Sequence, residues 1–334
     1  MIRLAVVGTG YWGVNHVRAF GRVPGAELVA VCDPNQAALD RAASLAPRAR
    51  KLRSFDEVLT ADDIDAVVLA TPAIHHAAQS VAALAAGKHV FVEKPLALSP
   101  VDAALVAAAA SAAQKTFMVG HLMLYHPGYE RLKRLVTDGE LGQIYYIYAL
   151  RVNLGRLRSD ENALWSFAPH DLSMILDLLP TAPVSVAARG QAYLQPGIED
   201  VVFVNLAFAD RTMAQIQLSW LDPRKERRLT VVGERKMVEF DDGHPTEKLR
   251  IYDKGYDRPP AFTQYGEYLT VRQGDVHIPR IDGSEPLDLE CRHFIACIKD
   301  RLPPRTGIAH GMEVVRVLDA AQRSLTAGGQ PVPL

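Results

Sequence analysis

Residues 1–13 read MIRLAVVGTGYWG. The apolar, partly β-branched run at residues 2–7 stops at a glycine, which predicts a short buried strand. Residues 8–13 then satisfy the pattern GxGxxG, and residues 14–20 are typical of a helix. This order of strand, glycine-rich turn and helix is the setting that a dinucleotide-binding fingerprint requires. The rest of the chain is interpreted from this unit outwards.

Each glycine of the turn has its own physical reason. The first allows the tight turn, the second lets backbone approach a pyrophosphate, and the third lets helix and strand pack closely. The diphosphate would lie on the N–H groups at the N-terminus of the helix. We therefore assign the whole turn to the cofactor: Gly8, Thr9, Gly10, Tyr11, Trp12 and Gly13.

An acidic residue follows where this fingerprint expects one. Residues 27–32 predict a second strand that ends in Asp33, about 20 residues or slightly more after the glycines. Its carboxylate can bond both hydroxyls of the adenosine ribose and would repel a 2′-phosphate, which favours NAD over NADP. The alternative is a turn aspartate, because Asp33-Pro34-Asn35 also has the composition of a turn.

The bulk composition excludes several classes of protein. The chain has 334 residues, 49% of them hydrophobic, and a net charge of −1, so we expect two domains and neither nucleic-acid nor membrane binding. Its three cysteines form no CxxC pair, and its eleven histidines do not cluster with metal ligands, so we expect a reduced compartment and no metal. Without a signal peptide or a membrane-length apolar stretch, we expect a soluble cytoplasmic protein.

Two patterns divide the chain. Up to about residue 121, strands and helices alternate as in a doubly wound parallel sheet, with helices at 36–45, 55–59 and 74–86 and strands at 66–70, 89–92 and 116–119. Residues 1–121 are therefore predicted to form an NAD-binding Rossmann domain.

Residues 122–334 have a different character. We expect an α+β domain here, with a helix at 127–137, an open, mainly antiparallel sheet and a helix at 170–179 inserted among its strands. Residues 220–228 are predicted to form a basic turn and residues 253–286 an irregular arm. The helices at about 287–325 are expected to pack back near the first domain. The predicted strands are 143–153, 184–193, 201–208, 212–220, 228–232 and 236–240.

Several motifs occur together in a familiar order. They are the turn at residues 8–13, Thr71-Pro72 with His76, GKHVFVEKPLA at 87–97, Gly120-His121, and Gly139-x-x-Gly142. With them the chain resembles, over nearly its whole length, the glucose–fructose oxidoreductase / inositol dehydrogenase / MocA family of NAD(P)-dependent sugar oxidoreductases. GYWGxN near the start and Pro-His-Asp at 169–171 resemble the members that act on nucleotide-linked sugars.

The resemblance implies a catalytic role for Lys94. It follows a predicted parallel strand at the edge where open α/β sheets bind ligands. A lysine beside the nicotinamide can hydrogen-bond a reacting hydroxyl and stabilise the oxyanion that develops on it. Taken alone, a Glu-Lys pair is more often solvated surface charge.

The resemblance also implies that His170 is the general base. A histidine is a natural acceptor for a hydroxyl proton while hydride leaves the adjacent carbon. The family commonly places an aspartate four residues earlier, where this chain has Ser166. Asp171 either balances charge at the site or caps the helix.

Further residues are assigned to the two ligands. The residues assigned to the cofactor are Thr71, Pro72, His76, Glu93, Lys94 and His121. The alternatives are helix capping for the first three and domain packing for His121. For the substrate, an arginine suits a diphosphate and an indole suits stacking on a base or sugar. The substrate residues are Lys94, Tyr125, Asn153, Arg156, Asn162, Trp165 and His170.

Three functions remain open from the sequence. The first is an NAD-dependent dehydrogenase that oxidises the 3-hydroxyl of a UDP-linked N-acetylhexosamine. The second keeps this chemistry but acts on a free polyol or monosaccharide such as inositol. The third is a non-catalytic regulator that senses NAD. An open sheet exposes a large face, so we expect a homodimer or homotetramer.

Overall fold

Six short strands form a parallel sheet in the order β3-β2-β1-β4-β5-β6 in a computed structural model of the chain, which describes residues 1–155, 157–257 and 270–334. The residues of β4 and β6 are all buried, as expected for strands that are covered on both faces. This strand order is that of the Rossmann fold. The strands are β1 (Ile2–Val7), β2 (Ala26–Cys32), β3 (Arg50–Leu52), β4 (Ala66–Leu69), β5 (His89–Glu93) and β6 (Phe117–Gly120).

Local signals in the sequence set the ends of the helices between these strands. The Ser99 hydroxyl accepts a hydrogen bond from the Asp102 N–H at 3.1 Å, and Pro100 occupies the first helical position of the fifth helix. Ser54 and Glu57 form a capping box at the third. The helices are α1 (Gly13–Phe20), α2 (Gln36–Leu45), α3 (Phe55–Leu59), α4 (His76–Ala85) and α5 (Pro100–Ala113), with 3₁₀ turns at Ala73–His75 and Leu122–Tyr125.

The chain divides into two compact units. The first contains residues 1–125 and 284–319, and the second contains residues 126–283 and 320–334. Helix α8 (Pro286–Asp300) therefore belongs with the parallel sheet, where it packs against α1 and the turn Leu122–Tyr125. Its Phe294 contacts Phe20 and Phe91 edge to face. The division between the units falls inside α9 (Ile308–Thr326).

The second unit is built on a nine-stranded sheet in the order β14-β13-β12-β11-β7-β10-β9-β8-β15. Only the pair β7–β10 is parallel among these described strands. The predicted fold class, a Rossmann sheet followed by an α+β domain with a mainly antiparallel sheet, is confirmed. The strands are β7 (Ile144–Leu154), β8 (Pro183–Gln191), β9 (Val201–Phe208), β10 (Met213–Ser219), β11 (Leu221–Gly233), β12 (Met237–Asp241), β13 (Leu249–Asp257), β14 (Thr270–His277) and β15 (Val332–Pro333).

Two helices accompany this sheet, and one of them corrects the sequence analysis. Helix α6 (Pro127–Thr137) has the predicted bounds, whereas α7 (Ala163–Leu178) begins seven residues before the predicted start at residue 170. Pro169, which immediately precedes the predicted start, lies inside α7. Asn162 provides the cap, because its side chain accepts a hydrogen bond from the Trp165 N–H at 3.2 Å. Helix α7 packs against β7, β9 and β10.

Two other segments are more regular than predicted. Residues 220–228 were expected to be a turn because of Asp222-Pro223 and their charges, yet most of them lie in β11. The pairing of β11 with β7 shifts register between Leu221 and Glu226, and this irregularity accommodates the proline. Residues 253–286 were expected to be irregular, but they contribute to β13 and β14; residues 258–269 lie outside the description.

Membrane insertion through a helix finds no support in the structure. Within residues 1–155, 157–257 and 270–334, no helix has both the length and the apolar character that spanning a bilayer needs.

The glycine turn generates a prediction about stability. A Cβ atom at position 13 would lie 1.9 Å from the Gly8 carbonyl oxygen, whereas one at position 10 would meet no described atom within 4 Å. We expect Gly13→Ala to lower the free energy of unfolding by about 1–3 kcal/mol, the usual cost of overpacking. Gly10→Ala is the matched control and should change it by less than about 0.5 kcal/mol. Denaturant unfolding without cofactor checks this, and equal stabilities of the two variants would contradict it.

Candidate functional site

The glycine turn lies tightly against the end of β4. Gly8 has φ +83°, and a Cβ atom there would lie 2.7 Å from the Ala70 carbonyl carbon. Nothing in the described residues fills the space above Gly10, and no side chain caps the N-terminus of α1. An open, uncapped helix start that backbone can approach fits the diphosphate of a dinucleotide.

Asp33 is fastened to this turn. Its Oδ2 accepts a hydrogen bond from the Thr9 N–H at 2.8 Å, and its Oδ1 accepts one from the Asn35 N–H at 2.9 Å. The second bond is the turn interaction that the sequence analysis considered as the alternative, so Asp33 serves the turn as well. The Thr9 hydroxyl also donates to Oδ2, at 3.3 Å. Since a carboxylate has about four lone-pair positions, one of them, on Oδ1, is left for a ribose hydroxyl.

The Glu93 carboxylate joins the turn to the end of β5. It accepts hydrogen bonds from the Trp12 indole N–H and from Nε2 of His16, the latter at 2.6 Å. Burial raises the pKa of Glu93, but the hydrogen bond and charge of His16, together with the charge of Lys94, more than offset this and hold it below its usual value. Glu93 and Trp12, which were both assigned to the cofactor, therefore hold each other in place.

Lys94 is the first residue beyond β5. Its N–H donates a hydrogen bond to Glu93 Oε2 at 3.2 Å, and the Lys94-Pro95 peptide bond is cis. The buried His76 ring lies between the Pro95 and Thr71 carbonyl oxygens, 2.7 and 2.8 Å from its nitrogens. His76 therefore links the loops that follow β4 and β5, and its predicted contact with the cofactor stays a prediction.

The next strand adds His121. β5 and β6 pair with Glu93 opposite Gly120, so Lys94 and His121 leave the sheet at the same edge. Burial holds the pKa of His121 well below its usual value, and the nearby His310 and Lys94 lower it further. Tyr125 is also buried, with its hydroxyl 3.2 Å from Thr306 Oγ1 and its pKa raised by burial. Its polar group is thus used inside the first unit.

In the second unit, α7 carries His170 and the residues around it. Asp171 makes a two-point ion pair with Arg151 of β7, at 2.7 Å to Nε and 3.0 Å to Nη2. The two side chains are only 1% and 7% exposed. Asp171 therefore does not cap the helix, which is one of the two roles considered for it. Its charge is balanced by Arg151.

Two of the predicted substrate residues, Asn162 and Trp165, use polar groups of their side chains within the second unit. The Asn162 amide donates to Glu199 at 2.6 Å and to Gln322 at 3.0 Å, and the Trp165 indole N–H also donates to Gln322, at 3.1 Å. Asn153 lies in β7, and its buried Oδ1 has no hydrogen-bond partner in the described part of the chain. Arg156 lies outside the described residues.

Two of the four basic residues of β11 are paired, and the other two are exposed. Arg227 contacts Asp242 at 3.2 Å, and Arg228 contacts Glu226 at 3.1 Å and Glu239 at 3.5 Å. Because these two cations already face carboxylates, they are weak candidates for binding a nucleotide phosphate.

Sequence reasoning missed three residues of these arrangements: His16, Arg151 and His310. Each acquires its role from a partner far away in the chain, such as Glu93 for His16. No motif marks them, and the only signal was that a charged or imidazole side chain fell on an otherwise apolar face.

The chain belongs to the GFO/IDH/MocA oxidoreductase family. Residues 2–121 match the family's NAD-binding Rossmann domain, and residues 129–239 match its C-terminal domain. The resemblance inferred from the motifs and the NAD-binding fold are therefore confirmed.

Solved structures agree over almost the whole chain. A putative oxidoreductase from Magnetospirillum magnetotacticum is 33% identical, with a TM-score of 0.81 over 96% of this chain and 99% of its own. GenD2 from gentamicin A biosynthesis, crystallised in complex with NAD, is 25% identical, with a TM-score of 0.83 over 100% of this chain and 96% of its own.

Curated relatives act on different compounds. The 4-carboxy-2-hydroxymuconate-6-semialdehyde dehydrogenase of a Sphingobium species is 26% identical over 98% of this chain and 100% of its own. An inositol 2-dehydrogenase of Saccharopolyspora erythraea is 41% identical over 145 residues, 42% of each chain.

The buried pair in the second unit generates a prediction. Arg151→Met leaves the Asp171 carboxylate buried without its partner, so we expect it to lower the free energy of unfolding by about 3–5 kcal/mol. Adding Asp171→Leu removes the stranded charge and should recover most of the loss. Denaturant unfolding of both variants checks this, and a double variant no more stable than Arg151→Met would count against it.

The position of Asp33 generates a prediction about the choice between NAD and NADP. A ligand at a hundred times its Kd stabilises the folded state by about 2.7 kcal/mol, so thermal unfolding reports which cofactor binds more tightly. We expect NAD to raise Tm more than NADP at equal concentration, and Asp33→Ser to narrow the difference. A larger shift with NADP on the unaltered protein would refute the assignment.

Proposed function

We propose that this protein is an NAD-dependent dehydrogenase of a sugar or polyol, and that its preferred substrate is a UDP-linked N-acetylhexosamine oxidised at the 3-hydroxyl. The observation that carries the dehydrogenase proposal is the placement of Lys94. It lies beyond β5, next to a carboxylate that is fastened to the glycine turn by Trp12 and His16. A cation beside a dinucleotide site suits the stabilisation of charge on a reacting oxygen.

The roles of the two side chains are complementary. Lys94 donates a hydrogen bond to the reacting hydroxyl oxygen, and its charge stabilises the oxyanion as the proton leaves. His170 accepts that proton, since a neutral imidazole is a suitable base near neutral pH. NAD, when bound, supplies the hydride acceptor for the substrate carbon. In the second unit, the Arg151–Asp171 pair fixes α7 against β7 and thereby sets the position of its neighbour His170.

The preference for a nucleotide sugar rests on two sequence features. GYWGxN at residues 10–15 and Pro-His-Asp at 169–171 resemble motifs of family members of that kind. The product would be a 3-keto sugar.

A free polyol is the second candidate, and specific observations favour it. Two of the four cations of β11 already face carboxylates, and Asn162 and Trp165 hydrogen-bond within their own unit. These pairings leave fewer described groups for a diphosphate. The similarity to an inositol 2-dehydrogenase also supports this candidate.

We also propose that the protein assembles as a homodimer or homotetramer. Tyr146, Tyr148 and Phe203 are all partly exposed, and the register of β7, β9 and β10 places them on one face of the second sheet. A second copy covering this face would remove their apolar surface from water.

The chemistry is tested by substitution at both positions. We expect Lys94→Ala and His170→Asn each to lower kcat/KM by about 10²–10⁴-fold, the usual contribution of a positioned polar or acid–base group. The double variant should lose much less than the product of the two effects, because both groups act on one hydroxyl. Lys51→Ala, which removes a half-exposed lysine paired with Asp40 on the surface, is the control and should leave kcat/KM unchanged.

The substrates for this measurement decide among the functions. NADH formation is followed with UDP-N-acetylglucosamine, other UDP-sugars, free hexoses and inositols. Turnover of inositols alone would favour the second candidate. Tight binding of NAD without turnover of any compound, or turnover that survives in Lys94→Ala, would contradict the proposed mechanism.

A further inference from the structure

His121 is buried without using the polar atoms of its ring. The residue is 1% exposed, and neither Nδ1 nor Nε2 has a hydrogen-bond partner within the part of the chain that the structure describes. Polar groups buried to this extent are nearly always paired, because each unpaired one costs about 1–3 kcal/mol. The ring is thus placed for a partner that the described residues do not supply.

The position of the ring indicates what kind of partner this is. His121 and Lys94 follow neighbouring parallel strands at the edge of the sheet where open α/β folds bind their ligands. The same unit contains the glycine turn and Asp33, which together suit the diphosphate and adenosine ribose of NAD. The ring nitrogens of His121 that have no described partner therefore lie beyond β6, the last strand of the dinucleotide-binding sheet.

A second imidazole fixes the plane of the first. The rings of His121 and His310 meet edge to face, with centroids 5.1 Å apart and an interplanar angle of 88°. His310 lies in the first turn of α9, and the adjacent Gly311 allows this turn to approach β6. A Cβ atom at position 311 would lie 2.8 Å from Val119 Cγ2 and 3.2 Å from Leu96 Cδ2. The pairing of the two rings is therefore built into the packing of α9.

We propose that His121 hydrogen-bonds the carboxamide of the NAD nicotinamide through a ring nitrogen, and that His310 is a positioning residue that holds the His121 ring in place. A carboxamide offers both a carbonyl acceptor and an N–H donor, so it suits the donor or the acceptor of a neutral imidazole. A neutral ring also adds no second positive charge beside the Lys94 ammonium. The inference deepens the proposed function and rests on it for the location of the nicotinamide.

The main rival is a hydroxyl group of the substrate, which can also donate and accept. The cofactor is favoured because His121, Lys94 and the glycine turn are all carried by the dinucleotide-binding sheet and its loops. Contact with the substrate is therefore an outcome of the test.

The test compares two ligands that differ at the nicotinamide end. Isothermal titration measures the Kd of NADH and of ADP-ribose, which lacks the nicotinamide, for the unaltered protein and for His121→Leu. Losing one hydrogen bond to a neutral group should raise the Kd of NADH about 3- to 10-fold. The Kd of ADP-ribose should not change. Because leucine removes unpaired buried polar atoms, the Tm of the free protein should be unchanged or higher.

Variants at His310 separate positioning from direct contact. His310→Phe keeps an aromatic edge against His121 and should bind NADH nearly as the unaltered protein does. His310→Ala removes the edge and should raise the Kd of NADH without affecting ADP-ribose. His277→Ala is the control, because His277 is an exposed residue of β14 in the second unit, and it should change neither Kd.

Three results would overturn the inference. The first is an equal loss of affinity for NADH and ADP-ribose in His121→Leu. The second is a lower Tm of this variant with an unchanged ratio of the Kd of NADH to the Kd of ADP-ribose. Both results indicate a structural role. The third is an unchanged Kd of NADH with reduced turnover, which would indicate that the His121 ring contacts the substrate. The measurement needs no substrate. Its result therefore stays interpretable even if no sugar or polyol is oxidised and the proposed function fails.

Discussion

The hydrogen bonds from Trp12 and His16 to the buried carboxylate of Glu93 are the interaction on which the first unit's site depends. An ionised carboxylate away from water is tolerated only when it is well paired. Here both donors come from the glycine turn and the helix that follows it. The end of β5 is therefore tied to the start of α1, and the position of Lys94 relative to the turn follows from that tie. Gly120 completes the arrangement, since a Cβ atom there would lie 3.2–3.3 Å from the Glu93 carboxylate.

Asp33 connects the other end of the turn in the same way. Its bond to the Thr9 N–H joins the end of β2 to the turn after β1. The turn is thus held by two carboxylates from opposite sides, one at the end of β2 and one at the end of β5. Because these contacts exist within the protein itself, the turn is shaped before any dinucleotide arrives, which reduces the ordering cost of binding.

Much of the fold was predictable because its signals are local. The bounds of β1, α2, α3, α6 and β9 agree with the sequence analysis, since apolar runs and caps such as Ser54 are read within a few residues. The errors arose where local signals conflict with long-range pairing. A helix was predicted to start just after Pro169, and a turn was predicted around Asp222-Pro223, yet both prolines lie inside regular elements, α7 and β11. The glycine turn, Asp33 and Lys94 could be found by motif. His16, Arg151 and His310 could not, because a partner distant in sequence gives each its role.

The geometry of α7 also bears on the missing family aspartate. Neighbouring residues on a helix point about 100° apart, so Asp171 and His170 do not share a face. Asp171 is directed to Arg151, and the residue one turn before His170 on its own face is Ser166. A hydroxyl at that position can orient an imidazole but adds no negative charge to it. In this chain the buried charge of Asp171 therefore fixes the helix against β7. Ser166, and not Asp171, lies on the face where it could assist the chemistry proposed for His170.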